Sequence, residues 1–256
     1  MGQPRLALPG VTLCAATSVN VPATIGALRH CLEQVNFGEC LLLTDASVDP
    51  GAGIRTKTIP RLSSGRDYSE FMLTRLVDFI DTPHCLVVQW DGFVLDAEQW
   101  DPAFLDFDYV GAPWPQFDDE HDVGNGGFSL RSRRLLEACR DPAFRIGHPE
   151  DVAIGRTNRT MLEERHGIRF ADRRIAERFS FERTQPAENT FGFHGVFNMV
   201  PALGADGFWE LYETLDEKSS ALLDYRLLMK QLRGAQSPGG RRFKLARDRL
   251  GAILRR

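Results

Sequence analysis

Hydrophobic residues recur along this chain in two distinct periods. Short continuous apolar runs, Val11 to Thr17 and Cys40 to Thr44, predict buried strands, and Ile54 to Ile59 predicts a short edge strand. Between the first two runs, Ile25, Leu28, Cys31, Leu32 and Val35 recur at helical spacing. Asn20 stands before them as a cap, and Pro22 falls in the first turn, where its missing N–H costs nothing. Arg66 to Ile80 predicts a second helix, with Phe71, Met72, Leu76, Phe79 and Ile80 on its apolar face. Then comes Leu86-Val87-Val88-Gln89-Trp90-Asp91-Gly92, a strand that ends abruptly in an acid and a glycine. The order strand, helix, strand, strand, helix, strand predicts an α/β sheet with helices on both faces. Ligands of such sheets bind beyond the carboxyl ends of the strands. Asp91 is therefore placed to hold a metal ion or a sugar hydroxyl, although a polar turn residue would look the same.

Beyond Asp91 the texture changes. Phe104 to Trp114 is aromatic and loop-rich, and Gln116 to Asp122 predicts an acidic, mobile loop. Val123 to Leu130 is a glycine cluster running into a strand, and Ser132 can cap a helix bearing Leu135, Leu136 and Cys139. Pro149-Glu150-Asp151 opens a helix that runs to about His166, and Thr190 to Met199 is a second glycine- and aromatic-rich stretch around His194. Helical segments follow at Asp206 to Glu217 and Ser219 to Leu232, and Ser237-Pro238-Gly239-Gly240 reads as a linker. These divisions predict a main domain over 1–203, a helical extension over 204–236 and a basic tail over 237–256.

With 256 residues, 43% of them hydrophobic, the chain can bury the core of one large domain. Its net charge of −4 gives no general reason to expect nucleic-acid binding, but the charge is uneven. From Arg233 onward there are eight Lys or Arg residues against the single acid Asp248, which leaves the preceding body at −11. In the tail, Phe243, Ala246, Leu250, Ile253 and Leu254 fall on one helical face, with Arg242, Lys244, Arg247, Arg249, Arg255 and Arg256 around it. That composition suits a helix lying on an anionic membrane, and equally a solvated tail or one packed on the acidic body. Five cysteines without a CxxC pair fit a reducing compartment. No signal-like start and no run near the ~18 apolar residues of a membrane span are present. The expectation is a cytoplasmic protein, held at the inner face of the membrane if the tail binds there.

Three clusters can carry chemistry. Acids in a first helical turn face the helix dipole favourably, which accounts for Glu150 and Asp151 structurally. An adjacent pair also allows one carboxylate to bind an acceptor hydroxyl while the other removes its proton. Gly124-Asn125-Gly126-Gly127 has more glycine than a strand tolerates cheaply, each costing roughly 0.5–1 kcal/mol relative to alanine. Such a run predicts a turn with positive φ or a ligand close to the backbone, and it lacks the spacing of a dinucleotide fingerprint or a P-loop. His194, flanked by Gly192 and Gly195, is a candidate ligand for Mn²⁺ or another divalent ion, or else a core histidine. Trp90, Trp114, Phe128 and Phe193 offer flat faces to a sugar ring, unless they are core.

Taken in order, Gln89-Trp90-Asp91-Gly92, Asp108 to Trp114, Gly124 to Ser132, Pro149-Glu150-Asp151 and Phe191 to Gly195 resemble an uncharacterised family of glycosyltransferase-like domains, similar to GT-A glycosyltransferases. The resemblance covers about Val11 to Leu203. It implies a Rossmann-like GT-A mixed sheet that uses a nucleotide-sugar donor and a divalent metal, Mn²⁺ or Mg²⁺. Asp91 corresponds to the second acid of the family's Asp-x-Asp motif, with Gln89 in place of the first. His194 corresponds to the histidine that completes the metal site. Glu150-Asp151 resembles the acid pair of inverting galactosyltransferases, in which the second acid is the base. Gln89, Trp90, Asp91, Gly92, Trp114, Asn125, Gly126 and Gly127 would line the donor and substrate pocket. The implied reaction transfers a sugar to a glycan, a lipid-linked molecule or another hydroxyl acceptor. The alternative is a non-catalytic module of the same fold that binds a carbohydrate or nucleotide, which Gln89 favours.

Overall fold

The structure is a computed structural model and describes residues 5–184, 186, 188–234 and 237–254. Arg255 and Arg256, counted above among the tail's cations, lie outside the described residues. The chain divides into two compact units, Met1–His194 and Gly195–Arg256.

The first unit opens with β1 (Leu6–Ala16), α1 (Val21–Gln34), β2 (Val35–Thr44) and β3 (Arg55–Thr58), followed by α2 (Gly65–Thr74) and β4 (His84–Val88). This is the predicted order of strands and helices, with the first two strands longer at their starts. Asn20 precedes α1 in a left-handed conformation, φ 51°, and its carbonyl accepts the Thr24 N–H at 3.0 Å. The second predicted helix stops at Thr74, and Leu76–Phe79 continues as a tight 3₁₀ turn. Next come β5 (Tyr109–Val110), β6 (Phe128–Ser132) and α3 (Arg133–Ala138), where Ser132 Oγ accepts the Leu135 N–H at 3.0 Å as the expected cap. The helix expected from Glu150 to His166 is interrupted. It runs as α4 (Glu150–Val152), a π turn at Ala153–Thr157 and α5 (Arg159–His166). The unit closes with α6 (Arg173–Phe179), β7 (Ser180–Phe181) and β8 (Gly192–Phe193).

Six strands form one mixed sheet in the order β3-β2-β1-β4-β6-β5. The first four are parallel, and β6 runs antiparallel to both β4 and β5. Right-handed crossovers from β1 outward to β2, and from β3 back to β4, put α1 and α2 on opposite faces of the sheet. One face packs Cys14, Leu41, Leu43, Cys85 and Val87 against Phe71, Met72, Leu76, Val77 and Ile80. On α1, Ile25, Leu28 and Cys31 are buried. All five cysteines are free and buried, which suits small apolar side chains in a core. The α/β mixed sheet flanked by helices is the fold class expected from the sequence. The acidic loop is anchored rather than loose: Asp119 pairs with Arg156 at 2.5 Å, and the buried Asp122 pairs with Arg173 at 2.5 Å.

The second unit is helical: α7 (Val196–Thr214), α8 (Ser219–Leu223), α9 (Tyr225–Gln231) and α10 (Pro238–Leu254). Gly204, with φ 73° and ψ 162°, breaks α7 into two helical pieces. Pro238, Gly239 and Gly240, read from the sequence as linker, form the first turn of α10.

Candidate functional site

The connection out of β1 leads to β2 on one side, while β4 lies on the other. The sheet order therefore reverses between β1 and β4, and a crevice opens at such a switch point beyond the carboxyl ends of the strands. Asp91 follows β4 there. The Gln89 N–H donates to Gly127 O at 2.9 Å and the Gly92 N–H to Gln89 O at 3.2 Å, a tight turn that fixes the Asp91 carboxylate. A Cβ on Gly92 would lie 2.7 Å from Phe193 O, so glycine lets this turn press against the end of β8. His194 follows β8, and its N–H donates to Phe181 O at 3.0 Å.

Four residues converge on the His194 ring. Nε2 lies 3.3 Å from Asp91 Oδ1 and 3.3 Å from Gln89 Oε1. Nδ1 lies 3.6 Å from Glu182 Oε1 and 3.2 Å from Asn125 Nδ2. Burial by itself would favour the neutral ring. The charges and hydrogen bonds of Asp91 and Glu182 outweigh it and push the imidazolium up to about 10. Gln89 connects this group to α2, its Nε2 donating to Tyr68 Oη at 3.1 Å.

A second acidic group forms on the other side of the glycine loop. Arg131 on β6 is wholly buried. Its Nη2 donates to Glu150 Oε1 at 3.1 Å and to Gly126 O at 3.2 Å, and its Nε donates to Ser129 Oγ at 3.0 Å. Ser69 Oγ lies 2.8 Å from His148 Nδ1 and donates to Glu150 Oε2 at 3.5 Å. Glu150 is thus committed to the protein interior. Asp151 Oδ2 instead accepts the Gly126 N–H at 3.0 Å. Burial and the Glu150 charge raise the Asp151 pKa above the usual carboxylate range. The Gly126 and Val152 amides and the Arg131 cation pull the other way without cancelling the rise.

The glycine run contains the expected positive-φ turn, but not at a glycine. Asn125, not a glycine, takes the left-handed conformation, with φ 58°. The glycines are needed for space. A Cβ on Gly124 would strike the Trp114 ring, one on Gly126 the Glu150 carboxylate, and one on Gly127 the His194 imidazole. The loop is therefore a thin partition with Glu150 and Asp151 on one side and Asp91 and His194 on the other.

Asp91, Gln89, Asn125 and His194 are brought together as one cluster, and Glu150, Asp151 and Gly126 as its neighbour. Of the two readings open for the aromatic residues, the core one fits: Trp90, Trp114, Phe128 and Phe193 are all buried. Phe128 packs on Phe179 and Phe191, Phe193 packs on Phe93, and Trp114 packs on Phe117 above Gly124. Sequence reasoning passed over Tyr68, Ser69, Arg131, His148 and Glu182. Arg131 had one usable signal. Strand alternation puts it on a buried face with Ser129, where a cation requires a buried carboxylate partner.

Among the described residues, no group of three or more His, Cys, Asp or Glu side chains is placed to hold a metal ion. What the cluster offers is one carboxylate, one imidazole and one amide oxygen. Asp91 Oδ1 is buried and already faces the protonated Nε2 of His194 at 3.3 Å, so a metal ion would take the ring nitrogen only by displacing that proton. This nitrogen-and-oxygen set fits a divalent ion as a partial shell, with the remaining positions left to oxygens of a bound molecule.

An α/β sheet with paired acidic clusters at its switch point defines the class of protein. The chain belongs to the DUF5672 family, described as proteins of unknown function, which it matches over residues 53–194. That span contains Asp91, the glycine loop, Glu150 and Asp151, and it ends on His194. No curated protein matches the chain. Among solved structures, the chain is similar to the mannosyltransferase PcManGT from Pyrobaculum calidifontis in complex with GDP-Man and Mn²⁺. The identity is 13% and the TM-score 0.44, over 97% of this chain and 72% of the other. It is also similar to a glycosyltransferase involved in glycosylation of the major capsid of PBCV-1. Here the identity is 13% and the TM-score 0.45, over 72% of this chain and 91% of the other.

Proposed function

We propose that this protein is a GT-A-like, nucleotide-sugar-dependent glycosyltransferase of the inverting type, with Asp151 as general base. The observation that carries the reading is the environment of Asp151. Its carboxylate has a raised pKa and is held by the Gly126 N–H, one loop away from Asp91 and His194. A base with a raised pKa is better matched to taking a proton near neutral pH. Asp151 accepts the proton of the acceptor hydroxyl as that oxygen attacks the anomeric carbon. The bond from that carbon to the diphosphate oxygen breaks, and the nucleoside diphosphate leaves with the electron pair. Glu150 does not share the proton transfer. Anchored by Arg131, it fixes the start of α4 and raises Asp151 by its charge.

Asp91 and His194, with Gln89 Oε1 beside them, would hold Mn²⁺ or Mg²⁺ together with the donor, the ion displacing the Nε2 proton of the ring. The ion would supply positive charge to the diphosphate. Glu182, on the Nδ1 side of His194, orients the ring so that Nε2 faces Asp91.

The test is Asp151→Asn in an assay of nucleotide release from UDP- and GDP-sugars with Mn²⁺, with and without candidate acceptors. Turnover should fall by ~10²–10⁴-fold while donor affinity stays nearly constant. Near-normal turnover by the variant would remove Asp151 from the role. A second reading is favoured by Gln89 in the place of an acid: a module that binds a nucleotide sugar without turning it over. Saturable donor binding with no release from any donor would select it.

A further inference from the structure

Helix α10 has two apolar sides, and the protein covers only one of them. Leu245 is fully buried against the rest of the second unit. On the same side Arg241 pairs with Asp206, Lys244 Nζ pairs with Glu213 at 2.8 Å, and Asp248 accepts a hydrogen bond from Tyr212 Oη at 3.1 Å. Arg249 also turns inward, its guanidinium 4.5 Å from the centre of the Tyr225 ring. Phe243, Leu250 and Leu254 are spaced by seven and four residues, which places them on one face opposite Leu245. Their exposures are 72%, 57% and 77%, and Ile253 beside them is 58% exposed.

Charge is sorted across the helix in the same way. Asp248 is the only acid of α10, and it is turned toward Tyr212. Arg247, two-thirds exposed, borders the outer apolar stripe, with its Nη2 3.8 Å from Asp248 Oδ1. The outer side therefore combines large apolar groups with an exposed cation at its border.

We infer that this outer face of α10 binds the surface of an anionic lipid bilayer. Apolar side chains bordered by the exposed Arg247 match an acyl boundary beneath anionic headgroups. The helix, ~25 Å long at 1.5 Å per residue, lies in the plane of the surface. Among the described residues no helix is long and apolar enough to cross a membrane. The inference stands on the second unit alone and does not depend on the reading of the acidic clusters.

The test is co-sedimentation of the full chain with phosphatidylcholine vesicles, with and without phosphatidylglycerol, at low and high salt. Binding should need the anionic lipid and weaken as salt rises. Phe243→Ser combined with Leu250→Ser should lower the partition coefficient by at least ~10-fold. Arg247→Gln should lower it by about fivefold. Leu254→Ser, at the helix end, tests the same face without touching the helix interior. Circular dichroism should be nearly unchanged, because these side chains are each more than half exposed. Failure of the full chain to sediment with either vesicle would overturn the inference, as would equal binding by the wild type and the Phe243/Leu250 double variant. A dimer in sedimentation velocity that the double variant abolishes would also overturn it, by assigning the face to a second copy.

Discussion

Replacing Arg131 by methionine perturbs the site at its most deeply buried charge. The guanidinium is wholly excluded from solvent and donates to Glu150, Gly126 O and Ser129 Oγ. Methionine keeps most of the aliphatic volume, so the loss is chiefly electrostatic. Removing one partner of a buried pair leaves the other charge uncompensated and costs ~3–5 kcal/mol. Of the two other acceptors, Gly126 O retains the Ser129 hydroxyl at 3.1 Å, so it adds little further cost. A total near ~4 kcal/mol is expected. At ~2–4 °C per kcal/mol for a domain of this size, the thermal midpoint should fall by ~8–16 °C. The assay is thermal unfolding followed by circular dichroism, run as a double-mutant cycle with Glu150→Gln. Arg131→Met combined with Glu150→Gln leaves no unpaired charge, so most of the loss should return, with a coupling energy of ~2–3 kcal/mol. A single-variant cost below ~1 kcal/mol, or strictly additive costs, would refute the view that this pair anchors the acid cluster.

The raised pKa of Asp151 sets the sign of its pH dependence. The native state keeps a proton that the unfolded chain loses above about pH 4, so this group's contribution to stability falls as pH rises through the native pKa. Asp151→Asn should flatten that slope, and catalytic rate should rise with pH over the same window; denaturation curves and rates at several pH values check both. Gly127→Ala places a methyl group against the His194 ring and should destabilise by ~1–3 kcal/mol, which chemical denaturation would register. Asp91→Ala and His194→Ala should each weaken donor binding measured by calorimetry, and the loss should shrink when a chelator is present. Donor binding that survives both chelation and His194→Ala would mark the site as metal-independent.

The sequence alone determined the local elements. Continuous apolar runs and 3.6-residue spacing are properties of neighbouring residues, so β1, α1, β2, β3, α2 and β4 could be read in order. Ser132 as a cap and α10 as a helix with an apolar stripe were legible for the same reason. Asp91 could be placed as well, because a strand that ends in an acid projects it from the carboxyl edge of a sheet. The tertiary structure decided which residues meet. Gln89 and His194 are 105 positions apart, yet their side chains lie 3.3 Å from each other, because the turn after β4 presses at Gly92 against the end of β8. No periodicity encodes that meeting, and none encodes the approach of Glu182 to the far side of the ring or the pairing of Arg131 with Glu150. The glycines show the same division. Their number signalled a constraint, but whether it was backbone conformation or space depended on which side chains crowd the loop. Those are Trp114, Glu150 and His194, brought from three separate parts of the chain by folding.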